Sequence, residues 1–211
     1  MDVRYPAPPW RLAGRLLIAL APLRADAARA VVPAPLRPLG PSLALVLFGL
    51  YGEKSTLSYG ELAGIVGPVI AGRRPGGLVT SIWADDERSV AGGRELWGLP
   101  KQMATLRWRS GRIEAHDAAG APIAGARWSE PRVHVPMPGA APFFGVLNGV
   151  ARRGALAGIT HVAPTRIELD IPGGSPLAAL GFGGRHAGLS GRLDVRAFAA
   201  DQSGQRLVAW P

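Results

Sequence analysis

The chain has 211 residues, 47% of them hydrophobic, which suits one domain with a sizeable core, and a single domain over residues 1–211 is expected. It contains no cysteine, which excludes disulfides and thiolate metal sites, and His116, His134, His161 and His186 have no short ligand spacing, so no metal site is expected. The net charge of +9 raises nucleic acid or an anionic membrane as partners, but the arginines are spread singly or in pairs without a basic run or interleaved aromatics, so neither is expected.

Glycine (29) and proline (20) are scattered as single turn signals, the punctuation of many short strands. Residues 15–21 read as a buried strand. They are too few to cross a bilayer, and Asp2 with the prolines at 6, 8 and 9 precedes them, so a strand of a cytoplasmic protein is expected rather than a secretory signal. Asp26 is placed to cap a short helix over 27–30, and Pro33, Pro35 and Pro38 then set an extended turn. Residues 43–50 form a continuous apolar run, read as a strand buried on both faces. Two further strands are expected at 60–66 and 77–83, the first carrying Glu61 in apolar surroundings, and residues 85–91 have the composition of a helix.

Residues 103–108 and 112–116, joined by Ser110-Gly111, alternate polar and apolar side chains as a hairpin. A second strand pair is expected at 124–128 and 132–135. The aromatic stretch 143–148 is followed by half-buried strands at 166–171 and 193–198. Gly181-Phe182-Gly183-Gly184 lacks the lysine and Ser/Thr pair of a phosphate loop and reads as a turn. The tally is a mainly β domain with few short helices, large enough to close a sheet around a pocket.

Of the 24 Lys and Arg residues only Lys54 and Lys101 are lysines, and Lys101 stands in Arg94-Glu95-Leu96-Trp97-Gly98-Leu99-Pro100-Lys101-Gln102, among apolar and aromatic side chains. Arginine supplies charge wherever charge suffices; a neutral amine is what it lacks. A desolvated lysine can lose its proton and attack a carbonyl to form a Schiff base. Lys101 is therefore a candidate nucleophile, the alternative being a surface lysine that closes a turn.

Four segments carry a resemblance in chain order: Val31-Val32-Pro33-Ala34-Pro35-Leu36, Tyr59-Gly60-Glu61, Gly93-Arg94-Glu95 leading to Gly98-Leu99-Pro100-Lys101, and residues 158–161 leading to Pro164-Thr165-Arg166-Ile167-Glu168-Leu169. Together they resemble the acetoacetate decarboxylase family along most of the chain. The resemblance implies a closed, cone-like antiparallel β-sheet with a few short helices, an apolar interior holding the lysine, no cofactor, and a homo-oligomer. It implies that neutral Lys101 attacks the ketone of a small keto acid such as acetoacetate, that carbon dioxide leaves from the protonated imine, and that the enamine is reprotonated and hydrolysed. Glu61 would orient the substrate or move a proton. An arginine of the first strand region, Arg15 with Arg11 as the fallback, would receive the substrate carboxylate, and Arg94 with Glu95 would form a structural ion pair.

A lysine amine ordinarily titrates near about pH 10.4, so the pocket has to depress it to leave free amine at neutral pH. Activation by an apolar pocket or a neighbouring cation is established for acetoacetate decarboxylase itself. One position departs from the family: its decarboxylases carry a second lysine directly after the nucleophile, where this chain has Gln102. A neutral amide cannot act by charge repulsion. Either desolvation suffices, or an arginine substitutes, or the reaction is a different one on a pyruvate-like substrate, such as an aldol condensation or a dehydration. A non-catalytic module for an apolar carboxylate ligand is the remaining alternative.

Overall fold

The structure is a computed structural model and describes residues 3–199; residues 1–2 and 200–211, the two ends of the domain expected over 1–211, lie outside them, and Asp2 with them. Among the described residues ten strands follow in order: β1 (Trp10–Leu23), β2 (Arg37–Tyr51), β3 (Tyr59–Ala71), β4 (Arg74–Ala84), β5 (Lys101–Arg109), β6 (Arg112–Asp117), β7 (Pro122–Trp128), β8 (Val135–Leu147), β9 (Val150–Asp170) and β10 (Gly184–Ala199). Helix α1 (Ala25–Val31) separates β1 from β2, α2 (Glu87–Trp97) separates β4 from β5, and a 3-10 helix (Pro176–Leu180) precedes β10.

All ten strands join one sheet in the order β10-β1-β2-β3-β4-β5-β6-β7-β9-β8, and the pairings β10–β9 and β4–β8 close it on itself. Neighbours run antiparallel except β4, which is parallel to β5 and to β8. The mainly β, closed architecture is as expected. Its closure depends on β9, which spans 21 residues. One edge of β9 pairs with β10; the other pairs with β8 from Val150 to Val162 and with β7 from Ile167 to Asp170. β4 divides likewise, pairing with β8 at Gly77 and Leu78 and with β5 from Ile82 onward.

Two closures on the same strands bury both faces of the sheet. On β1 the odd positions Leu17, Ala19, Ala21 and Leu23 enter one core with Phe48, Ile113, Trp128 and Leu177, while Trp10, Leu12 and Leu16 enter the other with Tyr59, Trp97 and Val195. Fully burying a side chain such as Leu17 or Phe48 contributes about 1.5–3 kcal/mol. Residues 43–50, expected to be buried on both faces, are wholly buried on one and half-buried on the other. Ala44, Val46 and Phe48 are wholly buried, whereas Leu45 and Leu47 face a cavity and Leu43 is 46% exposed.

Three local expectations are corrected. The strand expected at 132–135 is absent: residues 129–134 are irregular, and β7 pairs with β6 and β9 instead. Pro131 has no N–H for a ladder there, and the chain regains strand geometry only at Val135, as β8 meets β9. Asp26 does not cap α1; the N-cap is Arg24, and the Asp26 carboxylate lies in the first turn and pairs with the Arg24 guanidinium. Helix α2 starts later than expected and continues to Trp97 through Gly92 and Gly93, because that face packs on the interior: a Cβ on Gly92 would lie 2.6 Å from the Trp10 ring.

The start of α2 is fixed by Asp86, whose carboxylate accepts hydrogen bonds from the backbone N–H of Arg88 and Ser89 at 2.8 and 3.0 Å. Burial alone would raise this carboxyl; the hydrogen bonds from Arg88 and Ser89 outweigh it and hold it below the usual carboxylate range. Its contribution to stability is therefore full above the unfolded value near about pH 4 and is lost as the pH falls below it. Asp86→Ala is expected to cost about 1 kcal/mol at neutral pH, with the difference from the parent protein shrinking in acid, as read by urea denaturation at pH 7 and pH 3.

Candidate active site

Lys101 is the first residue of β5, delivered there by the end of α2. The helix closes at Gly98 (φ 63°), the Leu99 N–H returns to the Gly93 carbonyl at 3.1 Å, and the Arg94 guanidinium donates to the Lys101 carbonyl at 2.7 Å. With its backbone held, the side chain has one way to go. It runs inward and is 2% exposed. A Cβ on Gly93 would lie 2.7 Å from the Lys101 Cδ, so the missing side chain is what lets the lysine pass the helix. Ser89 stands four residues before Gly93 on the same helical face.

The amine meets its partners at the inner end. Lys101 Nζ donates to Glu61 Oε2 at 2.6 Å and to Ser89 Oγ at 2.8 Å, and it lies 4.8 Å from the centre of the Tyr59 ring. Glu61 is buried on β3 and accepts from the Tyr51 hydroxyl at 3.0 Å and from the Tyr59 hydroxyl at 3.3 Å. The two tyrosine rings meet edge to face, centroids 4.8 Å apart. Burial, and then the negative charge of Glu61, push both phenols well above their ordinary range, so they remain donors at any pH at which the protein works. One amine and one carboxylate, hydrogen-bonded to each other, thus face a cavity of about 490 Å³ whose walls, apart from the Tyr51, Tyr59 and Thr160 hydroxyls, are apolar.

Of the residues singled out in the sequence, the fold brings Lys101 and Glu61 together and keeps Arg11 and Arg15 out. The cavity-lining residues of β1 are Trp10, Leu12, Leu16 and Ile18, all even positions. Successive strand residues point to opposite faces, so the odd positions 11 and 15 look away. Arg11 forms a surface pair with Asp194 at 2.6 Å; Arg15 pairs with Glu130 at 2.5 Å and lies 5.4 Å from the centre of the Trp108 ring. Neither can receive a carboxylate in the cavity, and among the described lining residues there is no arginine at all. The pair expected between Arg94 and Glu95 is also replaced. Arg94 holds the Lys101 carbonyl, the Glu95 carbonyl accepts from Arg152, and the Glu95 carboxylate takes the Tyr5 hydroxyl, raising that phenol to about 12.

Gln102 is exposed, the next residue along β5 and therefore on the opposite face from Lys101. A cation there would not enter the cavity. Two site residues escaped the sequence reading. Ser89 was hidden because the helix was expected to stop before Gly93, which removes the four-residue spacing that would have flagged it. Tyr51 reaches Glu61 through the β2–β3 register, where Tyr51 pairs with Tyr59 and Gly49 with Glu61, and a register is not readable from one strand.

The sequence matches the model of the family Acetoacetate decarboxylase (ADC) over residues 2–128. It is 35% identical over 104 residues to the acetoacetate decarboxylase of Burkholderia multivorans, a match that covers 48% of this chain and 41% of that protein, less than half its length. Among solved structures the fold is similar to acetoacetate decarboxylase from Legionella pneumophila, with TM-score 0.63 and 19% identity over 93% of this chain and 89% of that one. It is equally similar to the enduracididine biosynthesis enzyme MppR complexed with pyruvate, with TM-score 0.64 and 16% identity over 90% of this chain and 88% of that one.

Proposed function

Because the chain belongs to the acetoacetate decarboxylase family, we propose that it is a Schiff-base-forming carboxy-lyase that decarboxylates a β-keto acid, with Lys101 as the nucleophile and Glu61 as the group that moves its proton. The observation that carries this reading is a primary amine, 2% exposed, held 2.6 Å from a carboxylate at the wall of an apolar cavity.

The proton of the ammonium passes to Glu61 across their hydrogen bond, the freed lone pair attacks the ketone carbon, and Glu61 returns that proton to the carbonyl oxygen. Loss of water from the carbinolamine leaves a protonated imine. The bond to the carboxylate carbon then breaks, its electron pair forms a C=C bond as the C=N pair moves onto nitrogen, carbon dioxide departs, and an enamine remains. Protonation at the carbon that carried the carboxylate and hydrolysis of the protonated imine by water release the methyl ketone and return the Lys101 ammonium beside Glu61. The net reaction consumes one keto acid anion and one proton. Tyr51 and Tyr59 hold Glu61 in place through the cycle, and Ser89 keeps Nζ aimed into the cavity.

Borohydride reduction in the presence of acetoacetate tests the reading. A stable added mass on the peptide carrying Lys101, absent in Lys101→Arg, is expected; no adduct with any keto acid would leave a binding module in which Lys101 only balances charge. A second reading, aldol-type condensation on a pyruvate-like acid through the same imine, draws support from the similarity to MppR, whose structure holds pyruvate. Carbon dioxide release from acetoacetate favours the first; carbon–carbon bond formation from pyruvate and an aldehyde, without carbon dioxide, favours the second.

A further inference from the structure

The cavity is graded from a polar floor to an apolar mouth, and the grading runs along two paired strands. On β3 the inward positions are Glu61, Ala63, Ile65 and Gly67, with Leu47 beside Ala63 and Leu45 beside Ile65 on β2. At roughly 3.3 Å per residue the distance from Glu61 to Gly67 is on the order of 20 Å, somewhat less where bulges interrupt the strand. Beside Gly67 the neighbouring β2 residue is Leu43, already 46% exposed. The reacting amine therefore lies at one end of an elongated chamber, and the opening lies at the other.

Along that length the described lining side chains offer a ligand no free N–H or O–H donor. The indole N–H of Trp10 is spent on the Pro6 carbonyl at 2.8 Å, that of Trp97 on the Phe198 carbonyl at 3.1 Å, and the Thr160 hydroxyl on the Met137 carbonyl at 3.2 Å. Lys101 is the single cation among the described lining residues, and Glu61 sits beside it. A carboxylate entering this site finds no fixed positive partner beyond the amine that must become the imine. Binding has to come from the tail. At about 30 Å³ for each water-sized group, the chamber holds on the order of 16 such groups, more than twice the roughly seven non-hydrogen atoms of acetoacetate.

Resting on the Schiff-base reading above, we propose that the site is built for a medium-chain β-keto acid, with an unbranched apolar tail of about five to seven carbons beyond the ketone lying along Ala63, Ile65 and Leu47 toward the mouth. Each added methylene buried in the chamber is expected to raise kcat/KM by about fourfold until the chamber is full.

The test compares 3-oxobutanoate, 3-oxohexanoate and 3-oxooctanoate with the intact protein, by carbon dioxide release and by borohydride trapping on Lys101. A rise in kcat/KM on the order of 100-fold from the shortest to the longest acid is expected. In Ile65→Trp, and in Leu47→Phe as the second variant should the first not fold, the ratio of longest to shortest is expected to fall at least tenfold. Trapping on Lys101 with equal or falling kcat/KM along the series would overturn the tail while leaving the Schiff base intact, and an unchanged ratio in a folded variant would overturn its placement. Absence of any adduct with all three acids would remove the Schiff base and the tail together.

Discussion

Lys101→Met is expected to reduce keto acid decarboxylation to background, a loss on the order of 10⁴-fold or more, and to lower the melting temperature by about 10 °C. The two effects have separate causes. The first follows from the loss of the amine, since no other lysine lines the cavity. The second follows from Glu61, which the substitution leaves buried among apolar walls with only two phenol donors. Removing one member of a buried ion pair costs about 3–5 kcal/mol, because the partner's charge stays behind without compensation. Two further variants separate the causes. Lys101→Arg keeps a cation near Glu61 but cannot give a neutral amine, so activity is lost with a smaller fall in stability. Lys101→Met combined with Glu61→Gln removes both charges, and its stability is expected to recover part of what Lys101→Met alone loses. Thermal denaturation of the three variants, followed by circular dichroism, measures the recovery. Equal melting temperatures for the single and double variants would mean that Glu61 is not held as an anion.

Gly158→Ala is expected to destabilise the protein by about 3 kcal/mol or more and to spoil the cavity from its wall. Gly158 lies on β9 with φ 152°, and a Cβ there would stand 2.3 Å from the Asp194 carbonyl oxygen and 2.7 Å from the Val195 Cα. Both are backbone atoms of β10, where Val195 is the registered partner of Gly158. Backbone cannot rotate away as a side chain can, so the strands must part at the seam through which the sheet closes. Gly158 and Val195 also line the cavity. Activity should therefore fall along with stability. Gly173→Ala is the control, since its added Cβ meets nothing within 4 Å and it should stay within about 0.5 kcal/mol of the parent protein by chemical denaturation.

Most of the strand content was legible in the sequence because alternation and glycine punctuation are local signals. The hairpin of β5 and β6 and the half-buried stretches of β9 and β10 follow from them directly. Where reading failed, a long-range partner had decided. Gly92 and Gly93 look like helix breakers, yet α2 runs through them because Trp10 and Lys101 need the space they leave. Residues 143–148 read as one apolar, aromatic stretch, whereas β8 begins at Val135 and ends at Leu147. Asn148 and Gly149, with φ values of 51° and 76°, then make the tight turn into β9. The two arginines expected at the substrate carboxylate failed for a simpler reason: strand alternation decides a side chain's face, and the phase of β1 becomes known only when its even positions meet the cavity.

Gln102 shows the same division at the site itself. Read as a string, it stands next to Lys101 and withholds a charge from it; folded, it lies across β5 on the solvent side. The candidate amine was legible in the sequence alone, because a chain with two lysines among its 24 Lys and Arg residues leaves few choices, and the segment from Gly93-Arg94-Glu95 to Pro100-Lys101, which resembles the family's, singles out Lys101. What that amine touches was decided only by the tertiary structure. Glu61 and Ser89 accept its hydrogen bonds, the Tyr59 ring lies beside it and Tyr51 holds Glu61, and they come from two strands and a helix through registers and a closed sheet that no local stretch of sequence encodes. The grading of the chamber, from a polar floor to an apolar mouth, has the same origin, since it arises from which alternate residues of paired strands face inward.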